Sequence, residues 1–472
     1  MSDRTPSRAA PASHRPPLDG GFVPAHRWRQ AYRRMLSAER RPTPVTIAVG
    51  RPGGGTSHFR TCILPHEEPF TAANVRFLER TVKFLLWSRG GSRVFIAGAP
   101  EATAVISAGY SPGGARAFDA EFLGRKIYLD EFSVRSCRES ELPTATDCAG
   151  AGGGGASGCR IGFDLGGSDR KVAALIDGEV VFSEEVPWDP YFQKDPAYHE
   201  EGIRHSLRRA AAHLPRVDAI GGSAAGVYVD NEPRAGSLFR GVPDQLFVAR
   251  IRPLFKRIAA EWGVPVEVAN DGDVTALAAA RMIGHKASGG VLGLSLGTSL
   301  AGGYVAPDGG LMPWLNELAF VPVDYRGAGA HVDEWSGDSG TGARYHSQQA
   351  LGQLLDRPEI PASLPLPERL AALQEAAARG EVWTVPVYES LGVYLGFSLA
   401  HFAEFYQFEH VLILGRVTSG RGGDIMLDKA RAVLRDEAPE LHEKIAFVAA
   451  DEKFKRHGQA IAAASLPRLD KQ

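Results

Sequence analysis

Cysteine is scarce in this chain: four residues in 472, at Cys62, Cys137, Cys148 and Cys159. None forms a C-x-x-C pair. That gives no sign of a disulfide scaffold or metal cluster, and it fits a reducing cytosol, so a cytoplasmic location is expected. An excess of one charge is also lacking. Lys and Arg number 53 against 55 Asp and Glu, a formal net charge of −2, which argues for neither nucleic acid nor an anionic membrane as partner. No apolar run approaches the roughly 18 residues that span a bilayer. The polar, Pro- and Arg-rich beginning reads as no signal peptide, and there is no short-period repeat. What is there is an ordinary soluble composition, 44% hydrophobic and 23% charged, in a chain long enough for more than one domain.

Residues 1–42 read as a disordered basic tail, within which Trp28 to Ala38 could form a short helix. Residues 43–142 read as a separate accessory α/β domain. Pro44–Val49 is a strand paired with His58–Leu64 across a Gly53–Gly55 turn. Thr71–Leu86 is a helix, Val94–Ala97 a strand and Pro100–Ala108 a helix, and Phe122–Val134 is strand-like around Gly124. A Gly-rich linker follows at 143–158. Beyond it strands and helices alternate, which argues an α/β architecture.

The densest signal lies in residues 160–183. Ile161 and Phe163 begin a strand that ends at Asp164, and Gly166-Gly167-Ser168 turns the chain. Val172–Ile176 forms a second strand, and Asp177-Gly178 signals a hairpin before Val180-Val181-Phe182. A strand-end carboxylate followed by a Gly-Gly-Ser turn suits a magnesium–phosphate site. Asp164 can hold the metal through water, while Ser168 and bare N–H groups face phosphate oxygens. An ordinary hairpin with a turn-forming Asp is the alternative.

Three further segments follow. Val264–Ala280 is a short strand, an Asn270-Asp271 turn and a helix. Gly290–Val305 is a second Gly-rich strand-turn-strand around Gly297-Thr298. His410–Val417 is a buried strand ending in Gly415, ahead of another helix. In this order and spacing, the segments between Cys159 and Pro467 resemble the superfamily of sugar kinases, heat-shock chaperone ATPases and actin. More closely they resemble the ROK (repressor/open-reading-frame/kinase) family of sugar kinases and sugar-responsive repressors.

The resemblance implies a two-lobed actin-like ATPase (ribonuclease H-like) α/β fold with an additional N-terminal α/β domain. Lobe I would span 159–270 and lobe II 271–472, with the C-terminal helix able to pack back on lobe I. It also implies ATP-dependent phosphorylation of a sugar or sugar-like hydroxyl. Asp271 would be the general base, and Asn270, Asp271 and Glu317 would bind the acceptor. Gly166, Gly167 and Ser168 would face one set of phosphates, Gly297 and Thr298 the other, and Gly415 would lie under the adenine. Mg²⁺ would sit on Asp164 through water. The implied partners are ATP and a small polyhydroxyl substrate, with no nucleic acid and no membrane; homodimerisation is left open.

The chain also departs from the family pattern. Phe320 stands where a sugar-contacting, zinc-binding His is usual, and no cysteine follows Cys159, so no structural zinc is expected. Ser299 and Ala301 replace glycines, which would add strain at any positive-φ position. Ser237-Leu238-Phe239 does not reproduce the usual Asn-Leu pair. Arg416 replaces a second glycine and could stack on adenine or crowd it. Trp335 could stack on a sugar or anchor the core. Asp271 or Asp273 could merely cap the helix, and Arg170 or Lys171 could assist a phosphate or stay solvated. The rival readings are a non-catalytic nucleotide- or sugar-binding regulator with a kinase fold and, less favoured for want of a helix-turn-helix, a DNA-binding repressor.

Overall fold

The computed structural model describes residues 14–147, 155–284, 289–448 and 452–469. Residues 1–13 of the expected tail and 148–154 of the expected linker lie outside them.

The N-terminal unit is built on a four-stranded sheet, β1 (Thr43–Gly50), β2 (Thr56–Ile63), β3 (Arg93–Ala97) and β4 (Ser133–Cys137), in the order β2-β1-β3-β4. Helix α1 (Ala25–Ala38) precedes it, and α2 (Thr71–Arg89) and α3 (Pro100–Gly109) are inserted in it. Two expectations need correcting here. Residues 14–38 are not a disordered tail: α1 buries Ala25, Trp28 and Tyr32, and its Arg29 donates to Glu404 at 2.6 Å and to Thr81 at 2.7 Å. Trp28 and Tyr32 share the buried face by i,i+4 spacing, and the Arg29 that lowers the segment's hydropathy lies on that face too, over the Phe77 ring. Phe122–Tyr128 is a π-helical turn rather than strand, because Leu123 and Ile127, again four apart, are the residues it buries.

Helix α2 is central. Phe77, Leu78, Val82, Phe84, Leu85, Leu86 and Trp87 are all buried, and so are Asn74, Arg80, Thr81, Lys83 and Ser88. A helix apolar or buried on nearly every side belongs inside a domain. One continuous apolar core runs from α1 and the β1–β4 sheet through α2 into the second lobe, so the unit has its own sheet but not a separate core. Charges are compensated across the same seam. Lys83 sits 2.7 Å from Asp119 and 3.0 Å from Asp338, which Arg80 (3.1 Å) and Arg116 (2.9 Å) also reach. Burial pushes the Asp338 carboxyl up, but Lys83 and Arg80 hold it below the usual carboxylate range.

Lobe I is a five-stranded sheet: β5 (Cys159–Leu165), β6 (Asp169–Ile176), β7 (Glu179–Pro187), β8 (Ala219–Ala224) and, beyond the small hairpin β9 (Val227–Val229) and β10 (Glu232–Ala235), β11 (Val266–Asn270). Its order is β11-β8-β5-β6-β7. β5, β8 and β11 are parallel, with Asp164 opposite Ser223 and Ala224 opposite Asn270. Helix α4 (Asp271–Ile283) leaves β11 and packs on lobe II, the sheet β13-β12-β14-β15 made of β12 (Val291–Leu296), β13 (Leu300–Val305), β14 (His410–Leu414) and β15 (Ala446–Val448). Helix and sheet meet through glycines: a Cβ on Gly272 would overlap the Gly302 carbonyl, and one on Gly303 the Gly272 carbonyl. The last helix, α5 (Glu452–Ala463), lies on lobe I, where Gly162 and Gly221 leave room for its backbone and Arg160 donates to the carbonyls of Ala464 (3.1 Å) and Pro467 (2.9 Å). No helix among the described residues is long and apolar enough to cross a membrane.

Asp338→Asn removes the carboxylate shared by the buried Lys83 and Arg80 and the half-buried Arg116. It is expected to destabilise the protein by about 3 kcal/mol, read as a lower urea midpoint that added salt does not reproduce in the unaltered protein.

Candidate functional site

Parallel register brings the carboxyl ends of β5, β8 and β11 to one rim, the usual place for a ligand in an open α/β sheet. Asp164 stands there, buried, with one carboxylate oxygen accepting from the Ser223 hydroxyl at 2.7 Å. Burial raises its pKa to about 6, and the charge of Asp271 adds to the rise. Ser223 was not foreseen as a site residue; its position opposite Asp164 is a property of pairing, not of local sequence.

The turn after β5 is backed by aromatic residues. The Trp188 indole donates to the Gly166 carbonyl at 2.7 Å, and a Cβ at Gly167 would overlap the Tyr191 hydroxyl, so a larger residue there would have to displace the Tyr191 ring. The Gly166 N–H closes the turn onto the Asp169 carbonyl, and the Ser168 hydroxyl binds Asp169 at 2.8 Å. Arg170 and Lys171 fall on opposite faces, and both are engaged: Arg170 with Ser206 (2.9 Å) and Lys171 with Asp169 (2.9 Å).

In the second turn the Gly297 N–H donates to Ser299 at 3.0 Å, and Thr298 and Ser299 expose their hydroxyls. Neither Ser299 nor Ala301 has a positive φ, so the strain expected from replacing glycines does not arise. At the neighbouring strand end Gly415 has φ 107°, and a side chain would overlap the Leu296 carbonyl. Arg416 follows it, exposed.

Asn270 caps α4. Its side-chain oxygen accepts from the Gly272 N–H (2.7 Å) and its amide donates to the Gly226 carbonyl (2.7 Å). The cap is therefore neither Asp271 nor Asp273. Asp271 begins the helix with its carboxylate 3.0 Å from the Gly272 N–H, and burial raises its pKa. Asp273 turns inward, accepting from Asn316 at 2.7 Å and from the Tyr304 N–H at 3.3 Å; burial raises it to about 7. Glu317 is raised to about 8, by burial first and then by Asp271 and Asp273. The charge of Asp271 thus adds to the rise of Asp164, Asp273 and Glu317. Tyr228, which the sequence did not single out, presents a buried hydroxyl without a protein partner and senses the Asp271 charge.

Other candidates fall elsewhere. Trp335 is 72% exposed and so anchors no core, while Leu238 and Phe239 are core residues of lobe I. A cavity of about 650 Å³ runs beside β11, between Asn270, Asp273, Tyr228, Trp314 and the N-terminal unit's Arg51.

Among the described residues no group of three or more His, Cys, Asp or Glu could hold a metal by itself. The donor set at Asp164 suits a hydrated divalent cation. One carboxylate oxygen accepts from Ser223, and the carboxylate could hold a cation through water while phosphate oxygens supply its other ligands.

The raised Glu317 has a measurable consequence. The folded protein keeps this proton up to about pH 8, whereas the unfolded chain releases it near the ordinary value of 4.5. The folded state therefore holds more protons across that window, and stability falls as pH rises through it. Glu317→Gln is expected to raise the thermal midpoint at pH 8 and leave it unchanged at pH 5. Equal shifts at both values would show that Glu317 does not titrate in this window.

Solved structures share this architecture. A ROK hexokinase from Thermus thermophilus matches at 18% identity with a TM-score of 0.51, covering 66% of this chain and 97% of that one. A ROK family glucokinase from Streptomyces griseus, solved with glucose and AMPPNP, matches at 24% identity and a TM-score of 0.49, over 66% and 99% of the two chains. A ROK family transcriptional regulator, homologous to the E. coli MLC protein, matches at 21% identity and a TM-score of 0.48, over 65% and 77%. No protein-family model and no curated protein matches the chain. The likeness to the Thermus thermophilus hexokinase shows that the two lobes have the ROK-kinase fold, to which the N-terminal α/β unit is added.

Proposed function

We propose that the protein transfers the γ-phosphoryl group of Mg-ATP to a hydroxyl of a sugar or similar polyhydroxyl compound. The observation that carries this reading is the convergence of Asp164 and Asp271 at the carboxyl ends of β5 and β11, either side of β8, where the charge of Asp271 adds to the rise of Asp164. The hexokinase likeness supports it at the level of fold.

The roles follow from chemistry. Asp271 takes the proton of the acceptor hydroxyl as its oxygen attacks the γ-phosphorus and the bond to ADP breaks. A carboxylate raised by burial is a better base than a solvated one. The turns at Gly166–Ser168 and Gly297–Thr298 grip the phosphates with N–H and hydroxyl groups, and Gly415 leaves space for the base. Asp164 would hold a hydrated Mg²⁺, which when bound neutralises phosphate charge. Glu317 accepts or donates hydrogen bonds to acceptor hydroxyls according to its protonation. Asn270, occupied at both ends of its amide, shapes the wall through the Gly226 loop. Positioning and charge stabilisation supply most of the acceleration in phosphoryl transfer.

The test is ADP release from purified protein with Mg-ATP and a panel of hexoses, amino sugars and polyols. Acceptor-dependent release is expected, falling at least about a hundredfold in Asp271→Asn with ATP affinity retained, and weakening at low Mg²⁺ in Asp164→Asn. Release should rise with pH as Asp271 deprotonates. Mg-ATP binding without release on any acceptor would instead indicate a non-catalytic sensor.

A further inference from the structure

The acceptor wall of this site is held by the N-terminal unit. Asn316 has φ 52°, in the left-handed region, and its backbone N–H donates to the carbonyl of Ser88 at 2.9 Å. The next N–H, that of Glu317, donates to the carbonyl of Trp87, also at 2.9 Å. Both acceptors belong to the last turn of α2, where helix carbonyls have no intrahelical partner. The Asn316 side chain is pinned as well: its amide donates to Asp273 at 2.7 Å, and its oxygen accepts from the Tyr406 hydroxyl at 3.0 Å. Phe320, one turn further on, stacks on Trp87 with ring centroids 4.2 Å apart, and the Trp87 indole donates to Asp119 at 3.1 Å. Asp119 belongs to the buried charge cluster around Lys83.

We infer that the C-terminal turn of α2 is a clamp that fixes residues 316–320, so that the N-terminal unit positions Glu317 against Asp271, with Asn316 as the positioning residue between them. The clamp joins segments more than 200 residues apart and reaches the site through two backbone hydrogen bonds and one ring stack. A positive-φ asparagine is strained and persists where its surroundings over-determine it. Four hydrogen bonds over two consecutive residues do so here. Release of the clamp would let the half-buried Glu317 carboxylate swing further into solvent. The clamp itself rests on the contacts alone; its role in acceptor binding rests on the kinase reading above.

The experiment has two readouts on the full chain. Hydrogen exchange at the Asn316 and Glu317 amides, read from peptides spanning 315–320, reports the clamp without any substrate. KM for acceptor against KM for ATP reports its use. The variants are Trp87→Leu and, because that change opens the core, the milder Phe320→Ala, with Phe320→Tyr as the ring-retaining control. Exchange at the two amides should quicken about tenfold or more in Phe320→Ala while β8 and β11 stay protected. KM for acceptor should rise about tenfold with KM for ATP unchanged, as expected when a positioning contact is lost, and Phe320→Tyr should restore both. Unchanged exchange in a folded variant, or equal rises in both KM values, overturns the proposal. Quickened exchange in a protein whose unaltered form phosphorylates no acceptor upholds the clamp and overturns the kinase reading alone.

Discussion

Lys83 has no exposed side-chain surface, and the structure around it answers to that fact. An ammonium withdrawn from water is tolerated only with carboxylates in contact. Asp119 comes from the same unit as Lys83, and Asp338 comes from the second lobe. Arg80 and Arg116 reach Asp338 too and share Glu79 between them. The cluster fixes the azimuth and depth of α2 against lobe II. Its last turn is thereby brought against the 316–320 segment, and the apolar core continues without interruption from one unit into the other. The N-terminal sheet is not an appendage on a kinase-like body; it shares an interior with one lobe.

The site is the opposite electrostatic case. Asp164, Asp271, Asp273 and Glu317 lie near one another and are all raised. Stability alone would not favour this arrangement, since burial disfavours the charged form of every one of them, eased at Asp164 by the charge of Lys171. The empty half of the balance is what a magnesium–nucleotide and an acceptor's hydroxyls would supply. A site left short of hydrogen-bond donors and positive charge is destabilised without ligand and gains on binding. Tyr228, whose buried hydroxyl has no protein partner, belongs to the same account.

Much of this was legible in the sequence because it depends on local rules. Strand ends at Asp164 and Gly415, the two Gly-rich turns, the Asn270-Asp271 turn into a helix, and the β1–β2 hairpin all follow from residue type and period. The need for glycine at 415 comes instead from the Leu296 carbonyl facing it, far away in the chain. Where sequence reading went astray, distance in the chain was the cause. Residues 14–38 look like a tail until Glu404 and the α2 surface are placed beside them. Ser299 looks strained only if a positive φ is assumed for it. Trp335, large and aromatic, is exposed all the same.

By itself the sequence determined the order of the elements and the identity of the chemical groups at each strand end, since these are consequences of pattern within a few residues. Tertiary structure alone decided what those groups do. Asn270 is consumed as a cap and a brace, Ser223 is set on Asp164 by parallel pairing, and Asn316 is turned to link Asp273, Tyr406 and the carbonyl end of α2. Such contacts join residues scores to hundreds of positions apart. Their energy comes from burial and hydrogen-bond geometry, which no local spacing encodes.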